Sequence, residues 1–291
     1  MPVNIVLDAT MLDTFSLCEA KFDYRFNHRK VLPAKPKPLD SGGLLHIANE
    51  TYYNDLKEGN IQFDERLDHS LEVMRHSWLE DSELSSKEYN ELIIAVKESL
   101  ILHRERDEHL EVLAVETPFA YVLHEDETIK ITMIGKIDLL VNEEWPIGHT
   151  SYEKLPYDHK SYSRSYPARR LMNQFCNYAY ATGSRYLVVN KIGMQTSLKP
   201  IEKHKRIILS YDDLILEQWK QNTISLAYKY LECHVSGEYP MNLTSCDKFN
   251  RECEYYPVCD SSGKEAKWYK LNTMYNTADV WDVSASLGKK E

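Results

Sequence analysis

The chain has 291 residues, 43% of them hydrophobic and 27% charged, and 45 acidic against 35 basic side chains leave a formal charge of -10. That apolar content, with 20 tyrosines, excludes extended disorder and predicts a sizeable core edged by polar-tipped rings. The acidic balance excludes a histone-like coat of positive charge, although a local basic groove for nucleic acid needs only a few side chains. At 34.0 kDa, one elaborated domain or a core plus a small module fits better than two unrelated domains. No apolar run reaches the roughly 18 residues that suggest a membrane span, and the amino terminus lacks a basic n-region and a long apolar h-region. The expectation is a cytoplasmic protein without membrane contact. There the six cysteines are reduced, any that cluster are better metal ligands than disulfides, and the sequon Asn242-Leu243-Thr244 is idle.

In chain order, Leu12, Phe15, Leu17, Phe22 and Phe26 recur at near-helical intervals behind Thr10 and Asp13, predicting a short helix over 10–27 that carries Cys18. Pro33, Pro36 and Pro38 then predict an extended connector. Ser41-Gly42-Gly43 opens a helix with Leu45, Ala48, Tyr52 and Leu56 on one face and His46 in its first turn. Residues 61–110 are rich in charge with apolar positions at helical spacing, so two or three amphipathic helices are expected there as a lid or wing. The period changes after residue 110: segments 111–123, 128–141 and, less cleanly, 152–162 are β-branched or aromatic with alternation and predict three consecutive strands. A helix from about Pro167 to Gly183, strands at 185–193 and 206–211, a long helix from Tyr211 to about His234 and a polar tail from Ser261 complete the reading. No internal repeat or low-complexity tract is found.

The chemistry gathers on the strands. Asp138 ends an apolar strand in Gly135-Lys136-Ile137-Asp138, and Asp158-His159-Lys160 ends the next. A carboxylate from each of two neighbouring strands offers hard oxygen ligands to Mg²⁺ or Mn²⁺, and a lysine two residues after the second acid shares its strand face. Taken alone, acid-x-lysine recurs by chance in any charged sequence. Four further residues fall in consistent order: His46 on a helix before the sheet, Glu116 on the first of the three strands, and Gln174 and Tyr178 one turn apart on the helix after Lys160.

With those residues in place, the chain resembles the PD-(D/E)XK nuclease superfamily over nearly its whole length, in particular its RecB-like iron-sulfur exonucleases of the CRISPR-associated or phage recombination type. The resemblance implies an α/β fold with a restriction-endonuclease-like core, a mixed central sheet flanked by helices. It implies a metal site at His46, Asp138 and Asp158 with the backbone carbonyl of His159, and catalytic roles for Asp138, Asp158, Lys160, Gln174, Tyr178 and, less uniformly in the family, Glu116. One or two Mg or Mn ions are the implied cofactors. Two departures stand out. Lys154-Leu155-Pro156-Tyr157 replaces the usual apolar run before the acid, with Pro156 unable to donate to a strand ladder, and Glu153 competes as the acid but has no lysine two residues on.

Cys246, Cys253 and Cys259 lie within fourteen residues and Cys18 far upstream. Four thiolates suit an iron-sulfur cluster or tetrahedral zinc; the resemblance implies a 4Fe-4S cluster, with zinc the alternative, stapling the carboxy-terminal segment to the amino-terminal helix. Cys176 and Cys233 fall among apolar helix neighbours and read as ordinary buried residues. Arg164, Arg169 and Arg170, interleaved with Tyr162 and Tyr166, suit phosphate neutralisation and base stacking, whereas Lys199, Lys203, Lys205 and Arg206 fit a solvated face equally well.

The expectation is therefore a single nuclease domain over 1–260, with a helical insertion at about 58–110, cluster-binding segments at 10–27 and 241–260, and a carboxy-terminal tail over 261–291. The function it implies is a metal-dependent DNA exonuclease acting on single-stranded or end-bearing duplex DNA, with a recombination or CRISPR adaptation protein as a further partner. A catalytically silent nuclease-like binding module and a zinc-stapled nucleic-acid-processing protein of another fold are the alternatives.

Overall fold

The computed structural model describes residues 2–34, 36–145, 150–163, 167–248 and 251–279. The chain opens with β1 (Val3–Leu7) and α1 (Ala9–Leu17), whose first turn is capped by Asp8 accepting from the Met11 amide at 2.7 Å. The helix expected over 10–27 is broken at Cys18, which adopts extended backbone (φ -166°, ψ 118°) before α2 (Glu19–Phe22) and a π-helical turn at Asp23–Asn27. The break has a chemical counterpart: the Cys18 sulfur receives the Asn242 amide at 3.4 Å. After β2 (Lys30–Val31), α3 (Lys37–Glu58) begins four residues before Ser41, because Pro38 falls in its first turn, where a missing N–H leaves no helical bond unmade. His46 consequently sits in the third turn. Two further helices follow, α4 (Phe63–Asp81) and α5 (Ser86–Asp107), the latter started by a capping box between Ser85 and Glu88.

Three long strands come next, as the alternation predicts: β3 (Leu110–Glu125), β4 (Ile129–Trp145) and β5 (Thr150–Tyr162). Helix α6 (Asn173–Thr182) begins six residues later than Pro167 and ends on Gly183 at φ 69°, the left-handed conformation that glycine takes without strain. Strand β6 (Tyr186–Gly193), a single helical turn α7 (Pro200–Lys203), β7 (Lys205–Ser210) and the long α8 (Asp213–Ser236) match the expected order. The segment from Ser261 is more than a polar tail. After α9 (Tyr256–Cys259) it carries α10 (Lys264–Thr273) and β8 (Asn276–Thr277). Among the described residues, no helix is long and apolar enough to cross a membrane.

The chain forms two compact units that divide β3 and β4 between them. The larger comprises residues 35–119 and 136–213. Its sheet is mixed: β4 pairs antiparallel with β5, β5 parallel with β6, and β6 antiparallel with β7. Pro156 lies opposite Leu140, one residue before pairing with β6 begins at Tyr157, so it occupies a stretch where β5 has a ladder partner on one side only. One sheet face, through Leu139, Val141, Leu155, Tyr157 and Val188, packs against Leu45, Ala48, Tyr52, Leu92 and Val96 of the helices. Helices α4 and α5, expected as a lid or wing, thus bury their apolar stripes in the core. Beneath that face the Arg206 side chain, 2% exposed, is bidentate to the buried Asp107 and also donates to the Tyr53 hydroxyl at 2.9 Å. Lys203 is buried and paired with Glu98 at 2.6 Å. These two cations are structural partners inside the unit, which leaves Lys199 and Lys205 as the exposed members of that basic group.

The smaller unit comprises residues up to 34, 120–135 and those from 214 onward. Here β1 runs parallel to the first half of β4, from Val3 opposite Ile129 to Leu7 opposite Met133. Phe15, Phe22 and Cys233 form one buried cluster, while Tyr255, Val258, Leu271 and Tyr275 form another against which Tyr24 and Cys253 pack.

Candidate metal centre

The two acids read from the strands are brought together by sheet register. Leu139 pairs with Tyr157 and Leu140 with Pro156; continued by one residue, that antiparallel register sets Asp138 opposite Asp158. Side chains alternate across a strand, so Lys136 and Asp138 share one face of β4, and Asp158 and Lys160 share one face of β5. At this point the Asp138 side chain substitutes for a ladder acceptor: the His159 amide donates to its Oδ2 at 2.7 Å. Both carboxylates are buried, Asp138 at 5% exposure and Asp158 at 0%. Glu153, the competing acid, is exposed.

From α3, His46 Nδ1 reaches to 3.1 Å from Glu116 Oε1 and 3.6 Å from Asp138 Oδ2. Glu116 comes from β3 with φ 44°, a left-handed backbone inside a strand, which costs about 1–3 kcal/mol and marks functional positions more often than packing ones. One ligand atom each from His46, Glu116 and Asp138 lies within 4.8 Å of the others. Glu116 is therefore placed where it could join His46 and Asp138 in holding a metal ion, a closer position than its place in the sequence had suggested.

Three side chains hold this group in place. Lys160 Nζ contacts Asp158 Oδ1 at 2.7 Å, and Asp158 Oδ2 meets no hydrogen-bond donor among the described residues. Gln174 Nε2 donates to the Tyr178 hydroxyl at 3.0 Å, and that hydroxyl lies 2.5 Å from the Lys136 carbonyl and 3.5 Å from Asp138 Oδ1. The spacing of Gln174 and Tyr178 thus fixes β4 immediately ahead of Asp138. Below the acids, the buried His159 ring stacks on Tyr53 at 5.5 Å and meets the Asn190 amide at 2.9 Å.

The electrostatics follow from this packing. Burial, then the facing charge of Asp158, pushes the Asp138 carboxyl up to about 7. Burial works against a charged His46, but the hydrogen bond to Glu116 and the neighbouring acids outweigh it, and its pKa is raised. Glu116 is lowered despite its burial, because His46 and Lys136 both favour its charged form. Two residues here escaped the sequence reading. Lys136, two before Asp138 and so on its strand face, pairs with Glu116 Oε2 at 2.5 Å. Glu50, one turn beyond His46 on α3, is raised by burial and by the charge of Glu116. Periodicity was the available signal for both, i, i+2 on a strand and i, i+4 on a helix.

The donor set fits a hard divalent cation. Glu50, Glu116, Asp138 and Asp158 carry four negative charges when ionised against two on Lys136 and Lys160, leaving a surplus of two. Two facing buried acids, one with an unpartnered oxygen, are costly unless a cation joins them.

The four cysteines of the split pattern all lie in the smaller unit. Cys18 sits at the α1–α2 break, and the Cys253 amide donates to the Cys246 carbonyl at 2.7 Å. Burial raises the Cys246 and Cys259 thiols, and each is raised further by the charges of Cys18 and Cys253. Tyr24 hydrogen-bonds to the Cys259 side chain, which eases its ionisation. Cys176 and Cys233 are buried. Of the arginine and tyrosine group, Arg169 and Arg170 are exposed ahead of α6. Tyr162 carries Lys191 over its ring at 4.7 Å and its hydroxyl donates to the Lys203 carbonyl. Arg164 and Tyr166 lie outside the described residues.

A mixed sheet flanked by helices, with acids and a lysine meeting where two of its strands part, defines an α/β protein of restriction-endonuclease-like architecture. A profile of the PD-(D/E)XK nuclease superfamily matches residues 7–260, and the chain belongs to that superfamily. No curated protein sequence matches it. Among solved structures it is similar to a candidate exonuclease from Eubacterium rectale, at 15% identity and a TM-score of 0.45, over 86% of this chain and 89% of that one.

Proposed function

We propose that the protein is a divalent-metal-dependent DNA exonuclease, hydrolysing phosphodiester bonds from DNA ends in recombination, repair, phage or CRISPR DNA processing. The observation that carries this reading is the meeting of His46, Glu116 and Asp138 within 4.8 Å beside the facing Asp158 and its partner Lys160. Mg²⁺ or Mn²⁺ would be held by His46, Asp138, Asp158 and Glu116, with the His159 carbonyl as a further donor. When bound, the ion supplies Lewis-acid polarisation of the scissile phosphate and lowers the pKa of the attacking water.

The remaining work falls to the chain itself. Lys160, 24% exposed and held by Asp158 Oδ1, directs its ammonium charge to the place where negative charge develops in the transition state and orients the attacking water. Gln174 and Tyr178 keep β4 from shifting and so keep Asp138 in register with Asp158. Arg169 and Arg170 would neutralise backbone phosphates, with Arg164 and the rings of Tyr162 and Tyr166 as the further contacts that the sequence offers. Contacts of that type imply weak sequence preference. The four-cysteine centre is best read as a 4Fe-4S cluster with a structural role, zinc being the alternative, and the setting as cytoplasmic with a recombination or CRISPR adaptation partner.

The test is mutational. Asp158→Ala and Lys160→Ala should each reduce Mn²⁺-dependent degradation of DNA by a factor of 1,000 or so, about 4 kcal/mol of transition-state stabilisation, while DNA binding in Ca²⁺ persists. Glu153→Ala should leave the rate unchanged. A dead Glu153 variant alongside an active Asp158 variant would move the acid to the other position.

A further inference from the structure

Lys136 has no part in the acid-x-lysine motif, yet its ammonium is more accessible than that of the motif lysine, Lys160. Its side chain is 51% exposed, against 24% for Lys160. Its backbone is anchored, because its carbonyl receives the Tyr178 hydroxyl at 2.5 Å, while its Nζ lies 2.5 Å from Glu116 Oε2. Glu116, only 7% exposed, divides its two oxygens between this lysine and His46. A half-exposed ion pair of this kind adds little to stability, so packing does not explain why a lysine stands there. The surrounding charge does: Lys136 is attracted by Glu116, Glu50 and Asp138 together. A divalent cation attracted by the same acids would compete with it for Glu116.

We propose that Lys136 is a second substrate-contacting cation of the site. It is held on Glu116 when no divalent ion is bound, and released to a backbone phosphate of the nucleic acid when the ion takes that carboxylate. The inference rests on the nuclease reading and deepens it. Two opposite effects of one substitution follow, a combination that a purely structural lysine would not give. Lys136→Met keeps the stem and removes the charge, so Glu116 loses a competitor while the nucleic acid loses a phosphate contact.

The experiment has two readouts, neither of them activity. Mn²⁺ is titrated calorimetrically into wild type, Lys136→Met and Lys136→Arg without nucleic acid. A fluorescent single-stranded oligonucleotide is then titrated in Ca²⁺ at several salt concentrations. Lys136→Met should bind Mn²⁺ several-fold more tightly, bind the oligonucleotide more weakly, and lower the slope of log affinity against log salt by about 0.7, the value for one phosphate contact to a single strand. Lys136→Arg should restore the wild-type slope. Weaker Mn²⁺ binding in Lys136→Met would make the lysine a support for Glu116 and overturn the proposal, as would an unchanged salt slope. Wild type that binds Mn²⁺ but no oligonucleotide would overturn the nuclease reading itself and this inference with it.

Discussion

Asp138 is buried opposite Asp158, and burial together with that facing charge raises its carboxyl to about 7, against an ordinary value of 3.8. Between those limits the folded chain binds more protons at this site than the unfolded chain does. The contribution of Asp138 to stability is therefore full at low pH and lost as pH rises towards and through 7. The shift corresponds to a few kcal/mol at most, at about 1.4 kcal/mol per pH unit. In EDTA, Asp138→Asn should thus melt above wild type at pH 8 by several degrees, with the gap narrowing as pH falls below 7 and closing only below about 3.8, because an amide relieves the repulsion and still accepts from the His159 amide. Mn²⁺ should raise the melting temperature of wild type at pH 8 and leave the variant unmoved. Equal melting of the two proteins at pH 8 would remove the case for a strained acid pair. The site's arrangement favours function over stability, and the left-handed backbone of Glu116 points the same way.

Helix α6 and strand β4 act on the site through one hydroxyl. Tyr178→Phe removes the bridge between Gln174 and the Lys136 carbonyl, which should cost about 1–2 kcal/mol of stability and slow cleavage more than tenfold, with Mn²⁺ affinity lowered because Asp138 is no longer fixed. A Phe variant of wild-type rate and stability would reduce the motif to a packing contact. At this scale the sequence was most readable where periodicity is long. The strands β3 to β5 could be seen in their alternation, and with them Asp138, Asp158 and Lys160 on their proper faces. Short or interrupted elements were not readable. Strand β1 is five residues beside Asp8, β2 is two, and the break at Cys18 lies inside an unbroken helical pattern, since the contacts that decide them come from more than 100 residues away. Helix α3 began earlier than expected because prolines in a first turn look the same as prolines in a connector. Arg206 and Lys203 looked like solvated charges because their partners Asp107 and Glu98 are distant in sequence.

At the scale of the whole molecule, a centre bound by the cysteines would tie together segments far apart in sequence. Cys18 and the three cysteines from 246 to 259 belong to one compact unit, and a centre bound by all four closes a loop of more than 200 residues. Protein purified without oxygen should be brown and hold about four irons per chain, the content of a 4Fe-4S cluster. Replacing any of the four by Ser should lose the colour and lower the melting temperature together, whereas Cys176→Ser and Cys233→Ser should keep the colour. Colourless protein with one zinc per chain would replace the iron-sulfur reading by the zinc one and leave the sheet-borne site untouched.

The central claim, that the acids meeting at the parting of β4 and β5 degrade nucleic acid from its ends, is tested most directly on one pair of substrates. An end-labelled linear duplex and a covalently closed circle of the same sequence are incubated with the protein and Mn²⁺, with EDTA and Lys160→Ala as controls. The account predicts loss of the linear DNA alone, dependent on Mn²⁺ and abolished in Lys160→Ala. Cleavage of the closed circle at a comparable rate would contradict the exonuclease assignment, and intact linear DNA with every divalent ion tried would contradict the nuclease site.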